Sequence, residues 1–472
     1  MEKLEMRRLD LTKRVLMGDY PKVNLYTLTK IEWDSIFEMI TWIERIEKID
    51  PAETFTDHNG TRTRPLKYVE YKSASVQLHG RIPKLLKPFD WANWEEGKNI
   101  LKAQSFKGLD LQTTCKLLTI ILYCKESIGE YIPLVPCLAS DLEDGRVLKL
   151  LKELKKNIEQ ELKNECEKYH AYYPQDSQFA RYGRLLQSKW REEKGYPIGK
   201  SERGSVLGNY IDAEFAENEK VNFLTENIRN LVVEELKKAK ETKALIREDR
   251  MWENLLSSQP LCFNLFGELR FNPELATAFF KNFFPERVDK VTAVLFEYSP
   301  CRGDKNFTGD RSAFDVFIEY ISNEGKKGFI GIEVKYAETL REGADKVDVT
   351  YQKHKEEYLN IANSAGIFKL ESLENLRKSP LFQIWRDHLL SISLLKNNLY
   401  EEGFFVFLFP KANEECFSGV QQYREQLRFR YRAEEKTGFY WEFLDDFIET
   451  LDKLVNQEWT KELKERYLGL ST

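Results

Sequence analysis

Residues 313–336 read Ala-Phe-Asp-Val-Phe-Ile-Glu-Tyr-Ile-Ser-Asn-Glu-Gly-Lys-Lys-Gly-Phe-Ile-Gly-Ile-Glu-Val-Lys-Tyr, two apolar runs joined by the polar stretch Ser322–Lys326. Side chains alternate across a strand, so Glu333 and Lys335 share one face, while Ile330, Ile332, Val334 and Tyr336 share the other. By the same parity Asp315 shares a face with Phe317 and Glu319, opposite Phe314, Val316 and Ile318. A loop over Ser322–Lys326 pairs Ile321 with Lys327, and continuing the ladder sets Asp315 opposite Glu333. A slip of one residue would turn a whole apolar set to the wrong face, so registers of this parity are favoured. Like charges directly opposed in a sheet are destabilising. Two carboxylates and a lysine at one spot therefore make sense around a divalent cation. The bland alternative is a solvent-facing hairpin with cross-strand ion pairs worth roughly 0–1 kcal/mol each.

Asp315 followed by Glu333-Val334-Lys335 resembles the Asp…(Asp/Glu)-x-Lys signature of the PD-(D/E)XK nuclease superfamily, with Phe314 where a proline usually precedes the aspartate. A closer resemblance, to a bacterial restriction endonuclease-like family, covers roughly residues 175–470. It rests on four blocks in order: Leu256-Ser-Ser-Gln-Pro-Leu-Cys-Phe-Asn-Leu-Phe-Gly-Glu-Leu269, Tyr298-Ser-Pro-Cys-Arg302, Ser312-Ala-Phe-Asp-Val-Phe-Ile-Glu-Tyr320 and Gln383-Ile-Trp-Arg-Asp-His-Leu-Leu390. Four separated blocks make a specific match, whereas a lone Glu-x-Lys is weak.

Phosphodiester hydrolysis needs an attacking hydroxide, a stabilised pentavalent phosphate and a leaving oxygen that does not depart bare. A Mg²⁺ ion, with Mn²⁺ as the alternative, serves all three and is held by one or two carboxylates plus waters and substrate oxygens. Asp315 and Glu333 are the candidate ligands, and Lys335 is the candidate to orient or deprotonate the attacking water and offset developing charge. The resemblance implies that the Val334 carbonyl is a further ligand. It also places another acid at Glu274, near the start of the preceding helix, and Glu338, just past the strand, extends the same shell.

The chain has 472 residues with 42% hydrophobic and 32% charged content, ordinary for a soluble protein of two or three domains. Its formal net charge of −5 gives no global basic footprint, so a nucleic-acid role requires local basic patches. The start Met-Glu-Lys-Leu-Glu-Met-Arg-Arg has no apolar signal segment, and Leu117–Tyr123 is too short to span a bilayer. A cytoplasmic protein without a membrane anchor is the expectation. Seven scattered cysteines and five scattered histidines lack zinc-site spacing, and the cysteines read as buried free thiols.

The fold class expected is α/β (α+β): a helical N-terminal domain and a restriction-endonuclease-like core with helical additions. The N-terminal domain, residues 1–165, has a helical stripe at Ile36, Met39, Ile40, Ile43 and Ile46. Possible strands follow at Tyr68–Tyr71 and Ser75–Leu78, then the pair Trp91 and Trp94, then helices around Leu111–Cys124 and Glu143–Lys163. Phe89-Asp-Trp91 and Leu142-Glu-Asp-Gly-Arg-Val-Leu148 resemble a small bacterial domain of unassigned function. The boundary falls in His170–Ser177, and the second domain occupies 175–472. Breakers in Gly195–Gly208 mark a surface excursion, and Asn222–Lys243 is an amphipathic helix. The core then reads helix Pro273–Phe284, antiparallel strands Lys290–Tyr298, Ala313–Ile321 and Gly328–Tyr336, helices Tyr351–Ala362 and Pro380–Lys396, and strand Phe404–Phe409. The remainder, to Thr472, reads as mainly helical and amphipathic.

For contacts to DNA, Arg428-Phe-Arg-Tyr-Arg432 in an extended conformation would line Arg428, Arg430 and Arg432 along one face. Solvated arginines on an amphipathic segment explain the pattern as well. Arg181, Arg184, Lys189 and Arg191 form a second basic stretch. Gln383 and Arg386 lie on a helix that in related folds reaches the scissile phosphate, although packing and capping explain Gln383 equally. His388 reads as a hydrogen-bonded structural histidine. Arg302 suits a phosphate or a loop salt bridge. The reading that follows is a Mg²⁺-dependent DNA endonuclease in restriction or another anti-invader role. Its rivals are a non-catalytic nucleic-acid-binding or assembly protein that keeps the fold, and a repair or RNA nuclease. Restriction enzymes of the superfamily often form homodimers, yet nothing in this chain declares an oligomeric state.

Overall fold

The computed structural model describes residues 25–27, 54–57, 60–63, 146–242, 246–429 and 433–469. The expectations for Ile36–Ile46, residues 68–78, Trp91, Trp94 and residues 111–124 lie outside them. Of the early chain, Thr54–Asp57 and Gly60–Thr63 pair as an antiparallel hairpin. Contacts divide the chain into two units, Met1–Asn164 and Glu165–Thr472, with the division inside helix α1 (Arg146–Lys168). No helix among the described residues is long and apolar enough to cross a membrane.

The second unit opens with α2 (Gln178–Glu193), capped by Ser177, whose side chain accepts the Ala180 N–H. The breakers after it make a hairpin, Ile198–Lys200 with Val206–Ile211. Helix α3 (Glu226–Thr242) is followed by α4 (Ser258–Phe271), which the sequence reading did not anticipate. Then come α5 (Pro273–Phe283), β1 (Val288–Tyr298), β2 (Phe314–Ser322) and β3 (Lys327–Val334). Helices α6 (Ala344–Ala365) and α7 (Leu381–Lys396) lead to β4 (Glu402–Phe409). The chain closes with α8 (Glu414–Glu425), β5 (Phe439–Phe443), α9 (Leu444–Val455) and α10 (Glu458–Leu468).

The five strands form one sheet in the order β1-β2-β3-β4-β5. The first three are antiparallel, and β4 and β5 run parallel to β3. Ile321 pairs with Lys327, as the loop length implies, and the paired rows run to Val316 and Ile332. Strand β4 is apolar from Phe404 to Phe409 and lies between β3 and β5, with all six residues buried. Only a strand covered on both faces tolerates that composition, and each buried side chain there stabilises the fold by about 1.5–3 kcal/mol. The two faces separate by alternation: Phe404 packs on Phe284 after α5, with ring centroids 4.8 Å apart, and Phe405 stacks on His388 of α7 at 6.2 Å.

Two expectations need correction. Phe439–Phe443 is a strand, not part of a helical tail. It gives β4 a second neighbour, beginning where the Phe405 N–H donates to the Gly438 carbonyl at 2.8 Å. A buried strand edge without such partners would leave backbone groups unsatisfied. Phe314, expected on the face opposite Phe317, has its ring centroid 5.6 Å from that of Phe317. Gly331 makes room for this ring: a Cβ there would stand 2.4 Å from Phe314 Cε1.

A candidate active site at the end of the sheet

The C-terminal end of β3 brings the three signature residues together. Asp315 Oδ2 accepts the Val334 N–H at 2.8 Å, so the first carboxylate is fastened to the backbone beside the second. Lys335 Nζ lies 2.9 Å from Glu333 Oε1. Gln383, in the first turn of α7, donates its Nε2 to the same Oε1 at 2.6 Å. The Lys335 N–H donates to Leu408 O at 2.8 Å, which keeps the lysine in the ladder with β4. Glu333 and Lys335 are 5% and 9% exposed, so this is no solvent-facing pair of the kind that contributes little. Asp315 Oδ1 and Glu333 Oε2 accept no hydrogen bond from the described residues.

A third strand contributes an acid that the sequence reading missed. Glu297 lies between the pairs Phe296↔Val316 and Tyr298↔Phe314, in the row of Asp315. Its backbone has φ +46, left-handed geometry that costs a non-glycine residue about 1–3 kcal/mol. Gln259, in the first turn of α4, donates Nε2 to Glu297 Oε1 at 2.6 Å. A lone charge between aromatics at the end of an apolar strand, Phe296-Glu-Tyr298, was the available signal. A fourth acid, Asp387, follows Gln383 by one turn of α7 and is 4% exposed, with Oδ2 sealed and unpartnered. Its i,i+4 spacing from Gln383 was the corresponding clue.

Crowding of acids in a water-poor place sets the electrostatics. Burial, then the Glu333 charge, pushes the Asp315 carboxyl well above the usual carboxylate range. The Asp387 carboxyl is raised for the same two reasons in the same order. Burial pushes Glu297 up to about 7, against the opposing bond from Gln259. For Lys335 burial disfavours the charge, yet Glu333 and Asp315 outweigh it and hold the ammonium protonated well above its ordinary range. Loss of a proton from Lys335 is disfavoured in this arrangement.

The remaining sequence candidates are placed as follows. Glu338 accepts the Ser258 N–H at 2.6 Å and the Tyr336 N–H at 3.0 Å, so it caps α4 and braces the end of β3. Glu274 is exposed in the first turn of α5, and the further acid of the cluster is Glu297 instead. Arg386 is turned inward. It lies 3.3 Å from Asp310, and its Nη2 donates to Ser312 Oγ at 2.9 Å. Asp310 also accepts from Tyr358, Thr308 and the Ser312 hydroxyl, so Arg386 is part of a largely buried network. Arg428 is exposed and donates Nε to Phe368 O at 2.7 Å, while Arg430 and Arg432 lie outside the described residues. In the other basic stretch Arg184 binds Asp176 and Asn209, Lys189 binds Glu165, and Arg191 binds the Gly208 and Tyr196 carbonyls. His388 is wholly buried between Tyr423 Oη and Thr437 O, each 2.8 Å away, and burial lowers it to about 4. Arg302 meets no carboxylate at ion-pair distance; its Nη2 donates to Glu297 O at 3.2 Å.

The donor set suits a hard cation. Among the described residues no three Asp, Glu, His or Cys side chains are gathered into a metal cage. What stands ready is one unengaged oxygen on each of Asp315 and Glu333. Mg²⁺ is bound in this style, through one or two carboxylates with waters and substrate oxygens completing the octahedron. Cys166, Cys262, Cys301 and Cys416 are free thiols.

Comparison with known proteins gives two matches. The family model of the PD-(D/E)XK nuclease superfamily matches residues 174–469. A family of unknown function matches residues 28–160. No curated protein and no solved structure matches the chain.

Proposed function

The chain belongs to the PD-(D/E)XK nuclease superfamily, and from that premise we propose that it is a metal-dependent DNA endonuclease serving in bacterial restriction or another defence against invading DNA. The observation that carries the reading is the division of labour on Glu333. Lys335 and Gln383 both occupy Oε1, so Oε2 is left to act with Asp315 Oδ1. Asp315, Glu333 and the Val334 carbonyl would hold Mg²⁺, or Mn²⁺ in its place. The bound ion supplies charge to polarise the scissile phosphate and to ease loss of a proton from water.

The chain's own residues set the geometry. Val334 N–H fixes Asp315, and Gln383 fixes Glu333, so neither carboxylate has to be ordered when substrate arrives. Lys335, held protonated, points a hydrogen-bond donor at the place where negative charge grows on the phosphate. Carboxylates crowded around Glu333 disfavour one another's charge, and a divalent ion would relieve that crowding. The exposed Arg428 is a candidate for backbone phosphates, and a dimer would place two such sites on two strands.

Incubation of the full chain with plasmid DNA, in Mg²⁺ and in chelator, tests the proposal. Cleavage is expected only with the ion, and Lys335→Ala should slow it by about 100-fold or more. Unchanged cutting by Lys335→Ala would refute the site assignment. Discrete bands as opposed to a smear report sequence-specific cleavage.

A further inference from the structure

Beside the acid row lies a cavity of about 280 Å³, between α3 and the end of β1, lined by Phe296, Glu297, Ser299 and Arg302 on one side and by Lys238 and Arg270 on the other. Its polar groups are unequally provided for. Glu235 answers both cations of the far wall, lying 2.9 Å from Lys238 and 3.3 Å from Arg270. Arg302 has no such partner. Nη2 is tied to the Glu297 carbonyl, Nη1 meets no acceptor, and Ser299 Oγ is likewise buried without a partner. Arg302 therefore does not form the loop salt bridge that would explain its presence blandly. Burial, and then the neighbouring Arg311, disfavour its charge, against the opposing pull of the Glu297 carboxylate. Leaving Nη1 without an acceptor is costly, because a buried donor then forfeits a hydrogen bond it would make in water. An anion offsets that cost.

We propose that this cavity is a phosphate subsite, in which Arg302 and Ser299 hold the phosphodiester group next to the scissile one on the substrate strand. The assignment rests on the nuclease reading, and it adds which part of the strand is gripped and by what. Glu297 supplies the connection: its backbone carbonyl anchors Arg302, and its side chain belongs to the acid row. Arg302 is half-buried and lines the cavity. Glu235 does not repel the incoming group strongly, because Lys238 and Arg270 neutralise it.

The test is binding of a fluorescent duplex oligonucleotide to the full chain by anisotropy, with Ca²⁺ in place of Mg²⁺, at several salt concentrations. Arg302→Ala should weaken Kd by roughly 10-fold and reduce the slope of log K against log salt by about one. Arg302→Lys should restore the slope but not the full affinity, and Ser299→Ala should lose less than Arg302→Ala. Lys281→Ala, an exposed cation paired with Asp289, is the control and should change little. An Arg302→Ala protein with unaltered Kd and slope overturns the subsite, while wild-type cleavage would leave the nuclease reading standing. Thymidine monophosphate gives a second arm. Thermal stabilisation by it in the wild type but not in Arg302→Ala, without any oligonucleotide binding, would make the cavity a free-nucleotide site and overturn the strand assignment. Failure of both ligands to bind overturns the subsite whichever reaction the enzyme performs.

Discussion

Glu297→Gln should stabilise the metal-free protein, and do so only above mildly acidic pH. The substitution keeps an oxygen to accept the Gln259 side chain at the present 2.6 Å, and removes the charge that burial and Glu333 oppose. With a folded value of about 7 against an ordinary 4.5, the folded state retains a proton through that interval which the unfolded chain has lost. Stability contributed by this group is therefore full below about pH 4.5 and is lost as the pH climbs through about 7. At about 1.4 kcal/mol per tenfold, the interval amounts to roughly 3 kcal/mol at pH 8 and under about 1 kcal/mol at pH 5. Urea unfolding in chelator, followed by tryptophan fluorescence at both pH values, reads the difference directly. An equal change at pH 5 and pH 8, or a loss of stability at pH 8, would refute the picture of Glu297 as an acid crowded into the Asp315 row.

Three other outcomes follow from the same structure. Arg386→Ala leaves Asp310 buried without its cation, which should cost roughly 3 kcal/mol in urea unfolding; DNA affinity measured below its midpoint should not change, and a selective loss of affinity would return Arg386 to the list of DNA contacts. Mg²⁺ binding should strengthen between about pH 5 and pH 8, because the ion must displace protons from the acid cluster; calorimetry in two buffers of different ionisation enthalpy should register proton release, and a pH-independent affinity would contradict this. Gly331→Ala puts a methyl group 2.4 Å from the Phe314 ring, so a loss of about 1–3 kcal/mol is expected, and an unchanged melting temperature would mean that Phe314 packs elsewhere.

The hairpin was legible because its constraints are local. Two apolar runs of fixed parity and a short polar loop leave few registers, and the pairing Ile321↔Lys327 follows from them. The same locality explains where reading failed. Phe439–Phe443 becomes a strand because β4 lacks a partner on that side, a demand made by residues thirty positions earlier. Phe314 abandons strict alternation because Gly331, on another strand, leaves a vacancy for its ring. Glu297 enters the site through a left-handed backbone angle that no periodicity announces. Gln383 was ambiguous between packing and function for want of a distance, and its bond to Glu333 is that distance. Arg386, three residues on, meets Ser312 and Asp310 instead.

Phe404 to Phe409 contains no charge, proline or glycine to discourage self-association. While the chain is being made, this segment emerges before Phe439–Phe443, the stretch that will close its open side. Until then six greasy residues with free backbone groups offer a template to any similar segment nearby. Ribosomes therefore release this protein through an interval of stickiness, and a chain shortened between Phe409 and Phe439 would never leave it.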